Sequence, residues 1–238
     1  MENTPTPPQT TDKQLLSTPA AILLSGVLIA GALLYALLYA PGKGTTQTGD
    51  AGEGAVKTME VSASDHALGD PKTAELTLIE FSDLECPYCS QFHPVMEKIK
   101  NEYGSKVAWV YRHFPLSQIH PEAFPAAVAS ECVASAQGND AFWRFIDGIF
   151  INQARIGTAL YRELAGKEGI SASALDACIA EASTTSLIES QFSQAVAAGG
   201  QGTPFTVIVD KKGKILDTLP GALQYAQAKA KIDALLAK

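Results

Sequence analysis

Two cysteines separated by two residues, Cys86-Pro87-Tyr88-Cys89, are the side chains of this chain best placed to do chemistry. Thiols at that spacing can close a small disulfide, and the thiolate is the species that opens or re-forms it. The spacing alone also fits a structural disulfide or half of a zinc site. The flanks favour redox chemistry. Leu76-Thr-Leu-Ile-Glu-Phe81 is an apolar run of strand length, and Gln91 to Lys100 reads as a helix. The pair therefore opens a helix, whose N-terminal partial positive charge favours a thiolate and makes the first sulfur a good leaving group.

Other chemistry-bearing residues qualify this. Cys86, Cys89 and His93 could face one side of the helix as soft metal ligands. No fourth ligand stands at zinc spacing, so His93 reads as a partly buried helix residue and no metal is expected. His113 and His120 read as serving local turns. Asp83 and Glu85 read as loop or capping groups, Asp83 as a helix-start acceptor. Their charge opposes a very acidic Cys86. Four cysteines suit an oxidising compartment. With Cys86 and Cys89 paired, Cys132 and Cys178 remain, either bridged or as two buried free thiols. A bridge would close a loop of about 46 residues, worth up to about 4 kcal/mol.

The elements that must position these residues follow from periodicity and punctuation. Glu75 to Ser82 and Lys106 to Arg112 read as strands, and Met59 to Ser62 as a short one. Pro87 to Tyr103 reads as a helix with Pro87 in its first turn and a kink at Pro94. From Pro121 to about Ala198 the pattern is helical, with segments at 122–136, 140–150, 158–168, 172–180 and 184–198. Phe142, Trp143, Phe145 and Phe150 read as the core of that block. Thr206 to Val209 and Lys214 to Leu219 form a hairpin about Asp210-Lys-Lys-Gly213, and 223–236 is an amphipathic terminal helix. A strand-helix-strand unit is thus separated from a strand-strand-helix unit by about 80 helical residues, which predicts an α/β fold with a helical insertion at about 117–198.

Ahead of this domain, residues 1–18 are rich in Pro, Thr and Gln and read as disordered. Ala20 to Ala40 carries no charged residue and, as a helix, spans about 30 Å, the thickness of a bilayer core. It is longer than a usual signal-peptide apolar region, lacks a small-x-small cleavage site, and runs into Pro41. Residues 19–40 are therefore expected to be an uncleaved single-pass transmembrane helix, with 41–58 a flexible Gly/Thr linker and 59–238 the folded domain. Lys13 and Lys43 flank the span evenly and hardly set its orientation. With 18 Lys and Arg against 25 Asp and Glu, a net charge of −7 and no basic run, there is no footprint for nucleic acid.

The element order, together with Asp65-His-Ala-Leu-Gly-Asp-Pro71, Leu78-Ile-Glu-Phe-Ser-Asp83, Cys86-Pro-Tyr-Cys89, Tyr111-Arg-His-Phe-Pro-Leu116, Gln137-Gly138 with Ala141-Phe-Trp143, and Thr203-Pro204-Phe205, resembles the DsbA-like thiol-disulfide oxidoreductases, specifically their membrane-anchored branch. The resemblance covers the chain from about Met59 onward. It implies a thioredoxin-like fold in which Cys86 attacks or is attacked and Cys89 resolves, with Cys86 the more exposed. Thr203-Pro204 then matches the cis-proline loop facing the active site, which with Pro87 and Tyr88 contacts a substrate chain. Glu80 matches a buried acid that moves a proton to or from Cys89. Tyr88 departs from the Pro-His dipeptide of the best-known members and predicts a less acidic Cys86. The resemblance implies an enzyme without a cofactor, acting outside the cytoplasm on reduced or misoxidised secreted proteins and reset by a membrane quinone-linked thiol oxidase. Reductase or isomerase use of the same site, and a copper or zinc carrier, are the alternatives.

Overall fold

The computed structural model describes residues 56–181 and 183–238. The expected disordered terminus, the membrane helix at 19–40 and most of the linker lie outside the described residues. Among the described residues no helix is long and apolar enough to cross a membrane.

The centre of the fold is a parallel pair of strands, β2 (Leu76–Ser82) and β3 (Val107–His113), joined by helix α1 (Pro87–Tyr103). Both strands are buried along their whole length, because helices cover both faces of the sheet. Pro87 occupies the first turn of α1, where its missing N–H is not needed, and Gly104 ends the helix. The helix continues through Pro94. Antiparallel strands complete the five-stranded sheet, in the order β1-β3-β2-β4-β5: β1 (His66–Leu68), β4 (Phe205–Val209) and β5 (Ile215–Pro220). The β4–β5 turn carries Gly213 at φ 73°, where a Cβ would lie 2.9 Å from the Met59 carbonyl oxygen. The last helix is α7 (Tyr225–Leu236).

Between β3 and β4 run α2 (Ala123–Gln137), α3 (Asn139–Ile151), α4 (Thr158–Lys167), α5 (Ala172–Glu181) and α6 (Thr185–Ala197). This insertion does not form a separate lobe with its own core. On one face of the sheet Leu78, Trp109, Tyr111 and Ile208 pack with α1, α7 and the buried residues of α2 to α5. Trp143 of α3 lies 4.6 Å from Trp109 of β3, ring centre to ring centre, so Phe142, Trp143, Phe145 and Phe150 belong to a core shared with the sheet. The other face, with Ile79, Phe81, Val110 and Val207, is covered by α6 through Ala195. There Arg112 makes a buried two-pronged ion pair with Asp65 at 2.7 and 2.8 Å. Cys132 of α2 and Cys178 of α5 are joined by a disulfide.

Residues 59–62 do not form the expected strand. The edge strand is instead β1, seven residues on, antiparallel to β3. Met59 donates its N–H to Gly213, Thr58 bridges Lys214, and Ile215 donates to the Lys57 carbonyl. Lys57 and Thr58 thus join the sheet, because the β5 edge offers these residues backbone partners.

Candidate active site

Cys86 is the N-cap of α1, in extended conformation, and its N–H donates to the Asp83 carbonyl at 3.1 Å. Cys89 lies in the first turn, fully buried. Both are free thiols. Cys86 is only 3% exposed, less than expected for the attacking sulfur. Two segments far away in sequence close over it. From the turn after α3, the Gln153 amide donates to the carbonyls of Leu84 at 2.9 Å and Cys86 at 3.0 Å. From the loop before β4, the Thr203 carbonyl oxygen lies 3.6 Å from the Cys86 sulfur and accepts its thiol. The Thr203-Pro204 peptide is cis. Tyr88 projects outward, 62% exposed.

The two sulfurs are driven apart electrostatically. The Cys89 thiol donates to the Cys86 sulfur, and this is the strongest influence lowering the Cys86 pKa to about 6. Burial opposes it. The Thr203 hydroxyl, which has no other partner, and the N–H groups of Cys89 and Tyr88 reinforce it. Cys89 is pushed well above the ordinary thiol value by burial, by its bond to Cys86, and by the charges of Cys86 and Glu80. One sulfur is thus poised as thiolate and the other as proton donor.

Beneath Cys89, Glu80 points to the same face of the sheet as Leu78. Its neighbours in register are Tyr111 on β3 and Thr206 on β4, so Tyr111, Glu80 and Thr206 form a polar row across an otherwise apolar face. Glu80 is fully buried and its pKa is raised by burial, against the lowering effects of His93, Ser82 and Trp109. Glu80 Oε1, Ser82 Oγ, Tyr111 Oη and Thr206 Oγ1 are all buried without a hydrogen-bond partner.

Asp83 is not the helix cap expected from sequence; no side chain caps α1. Its carboxylate accepts from the N–H groups of Glu85 at 2.8 Å and Leu116 at 2.9 Å and pairs with His120 Nδ1 at 2.8 Å. Glu85 accepts from the Glu122 N–H. The histidines do not serve local turns. His113 and His66 both donate to Oε1 of buried Glu131, at 3.0 and 3.1 Å. His93 is buried between Trp109 and Phe150 and bonds Asp147 of α3 at 2.7 Å. Among the described residues the ligand-like cluster is His93, Glu97 and Asp147, without either cysteine.

The fold brings Cys86, Cys89, Pro87, Tyr88, Thr203, Pro204 and Glu80 to one end of the sheet, while the Cys132–Cys178 bond ties the insertion together elsewhere. Sequence reasoning missed Gln153, Ser82, Tyr111 and Thr206, and misread His120 and Asp83. The alternation of faces, even positions on β2 and odd positions on β3, was the signal for Ser82 and Tyr111; nothing local marked Gln153 or His120.

A family model described as "Thioredoxin" matches residues 62–234. The structure of α-DsbA1 from Wolbachia pipientis superposes with a TM-score of 0.65 at 26% identity, over 74% of this chain and 93% of that one. Oxidised BdbD from Bacillus subtilis has a TM-score of 0.65 at 22% identity, over 78% and 100%, a likeness of fold. The curated Na(+)/H(+) antiporter NhaA 1 of Mycolicibacterium gilvum is 43% identical over 89 residues, 37% of this chain. The chain spans only 14% of that relative's length. With the family model covering the described fold from before β1 into α7, the chain belongs to the thioredoxin family, and its fold is similar to that of DsbA-type proteins.

Proposed function

We propose that this protein is a membrane-tethered oxidase of thiols, which introduces disulfides into extracytoplasmic proteins through Cys86 and Cys89. The observation that carries the reading is the split between the sulfurs: Cys86 lowered to about 6 at the N-terminus of α1, Cys89 raised beneath it. A thiolate stabilised in the reduced form makes the disulfide form oxidising.

In the reaction a substrate thiolate attacks Cys86 of the disulfide, Cys89 leaves as thiolate and takes a proton, and a mixed disulfide forms. A second substrate thiolate attacks the substrate sulfur of that bond, expelling Cys86. The substrate has lost two electrons and two protons, and the enzyme is a dithiol. The chemistry uses no cofactor. A membrane quinone-linked thiol oxidase would restore the disulfide. Glu80 exchanges the proton with Cys89, and the backbone before Pro204, with the exposed faces of Pro87 and Tyr88, pairs with the substrate chain. The uncharged apolar stretch from Ala20 to Ala40 supports a single-pass tether, with the domain on the extracytoplasmic side.

Cys89→Ala in the full chain should accumulate mixed disulfides through Cys86, visible on non-reducing gels and absent in the variant lacking both cysteines. If none accumulate, the exchange role is lost. A reductase or isomerase would use the same sulfurs, and the measured potential separates the two: a value near about −270 mV, that of thioredoxin, would remove the oxidase reading.

A further inference from the structure

The turn between β2 and α1 holds an acid where a nucleophilic thiol least tolerates one. Asp83 is buried, three residues before Cys86, and its backbone touches both cysteines. Its carbonyl accepts the Cys86 N–H at 3.1 Å, and its N–H donates to the Cys89 sulfur at 3.4 Å. Glu85 is the residue next to Cys86. A fixed negative charge at this distance disfavours a second one on the Cys86 sulfur. Yet Cys86 lies in an arrangement that favours its thiolate.

We propose that His120 is a positioning residue for the reactive thiol: its imidazolium neutralises the buried Asp83 carboxylate, and Cys86 ionises readily only while His120 keeps its proton. This rests on the exchange reading of Cys86.

Three observations support it. First, the Asp83 side chain is wholly enclosed, and its partners are two backbone N–H groups and one imidazole, so only His120 brings a full compensating charge. Second, among the described residues no other cation pairs with this turn. Among the described residues no lysine or arginine pairs with Asp83 or Glu85, and the motif itself supplies none, because Tyr88 is uncharged and faces outward. The groups around His120 are Asp83, Glu85 and Cys86 from the β2–α1 turn, Cys89 behind Asp83, Glu122 at the start of α2, and Tyr161 of α4, whose hydroxyl donates to Glu122. His113, at the end of β3, is engaged by Glu131. Every formal charge facing His120 is negative or, like the thiols, becomes so. Third, burial draws the His120 pKa down, but the bond to Asp83 and the charges of Asp83, Cys86 and Glu85 outweigh it, and the net shift is upward. The bond and these charges therefore favour the imidazolium beside Asp83. When its proton leaves, Asp83 becomes an uncompensated buried anion beside the reactive turn.

The test is a cycle on the reduced full chain, reading the Cys86 ionisation from the pH dependence of alkylation by iodoacetamide. His120→Gln should raise the Cys86 pKa by about one pH unit, a loss of thiolate of about tenfold at pH 5 and about fivefold at pH 6, and make the couple more reducing. In an Asp83→Asn background the same substitution should change it by less than about 0.3, since no charge remains to compensate. His120→Lys, which keeps the cation, should leave Cys86 acidic, and it serves if the glutamine variant does not fold. An unchanged Cys86 pKa in His120→Gln overturns the proposal, as does an equal shift with and without Asp83. Failure of the exchange reading looks different: wild-type protein would then transfer no disulfide to a reduced substrate, whatever the cycle gives.

Discussion

Trp109 donates its indole N–H to Glu80 Oε2 at 3.0 Å, across the two central strands, and leaves Oε1 of the same carboxyl buried with no partner. A group half-satisfied in the deepest part of a fold costs stability and suits a proton carrier. Ser82, Tyr111 and Thr206, each with an unengaged hydroxyl, surround it on the face below Cys89.

Replacing Glu80 by glutamine keeps the bond from Trp109 and removes the titratable proton. Steps that protonate or deprotonate Cys89 should slow by at least about tenfold at pH 7, as measured by stopped-flow mixing with a dithiol peptide. Stability should move the other way. The folded pKa is raised, so the contribution of Glu80 is present below its unfolded value of about 4.5 and lost as pH rises through the folded one. The glutamine variant should gain more in urea midpoint at pH 8 than at pH 4. Equal gains at both pH values would show that burial of charge is not the cause.

Glu131 behaves oppositely. Burial raises its pKa, but the bonds from His113 and His66 prevail and hold it at about 2. Its contribution is present above the unfolded value of about 4.5 and is lost as pH falls through about 2, an upper limit of about 3 kcal/mol. Acid unfolding of the wild type should steepen in that window, and Glu131→Gln should flatten it. If the two acid-unfolding curves run parallel, the two-histidine clamp does not set acid stability.

Gln153 ties the insertion to the reactive turn through two carbonyls. Gln153→Ala should cost about 1–2 kcal/mol. Because the turn that presents the α1 N–H groups to Cys86 loosens, the Cys86 pKa should also rise. A stability loss with an unchanged alkylation profile would limit Gln153 to a structural role.

The Cys132–Cys178 bond spans 46 residues of the insertion. Removing both cysteines as alanines should cost up to about 4 kcal/mol while leaving the Cys86 pKa near wild type, since the bond lies away from the reactive turn. Denaturation together with alkylation kinetics would check both parts; a changed Cys86 pKa would reveal coupling between the two.

Much of this site could be read from local pattern. Cys86 and Cys89 announce themselves because strand, proline and helix start follow one another within a few residues. Glu80 is marked by the family resemblance rather than by local pattern. What escaped was contact made only by the fold. Asp83 and His120 are 37 residues apart, and Gln153 reaches back 67 residues to Cys86, so no periodicity links them. β1 escaped for another reason. Three residues carry almost no alternation, and His66 to Leu68 become a strand only because the edge of β3 is there to pair with. His113 looked like a turn residue because its partner, Glu131, comes from a helix folded back over the strand end.

The backbone of Lys57 and Thr58 joins the sheet beside Lys214 and Ile215, at the beginning of β5. Phe205 and Pro220, at the opposite end of β4 and β5, lie level with the end of β2 from which the chain turns into Cys86. The backbone pairing of Lys57 and Thr58 and the reactive sulfur of Cys86 therefore lie at opposite ends of one sheet, so disturbance of that edge is not transmitted directly to the reactive turn.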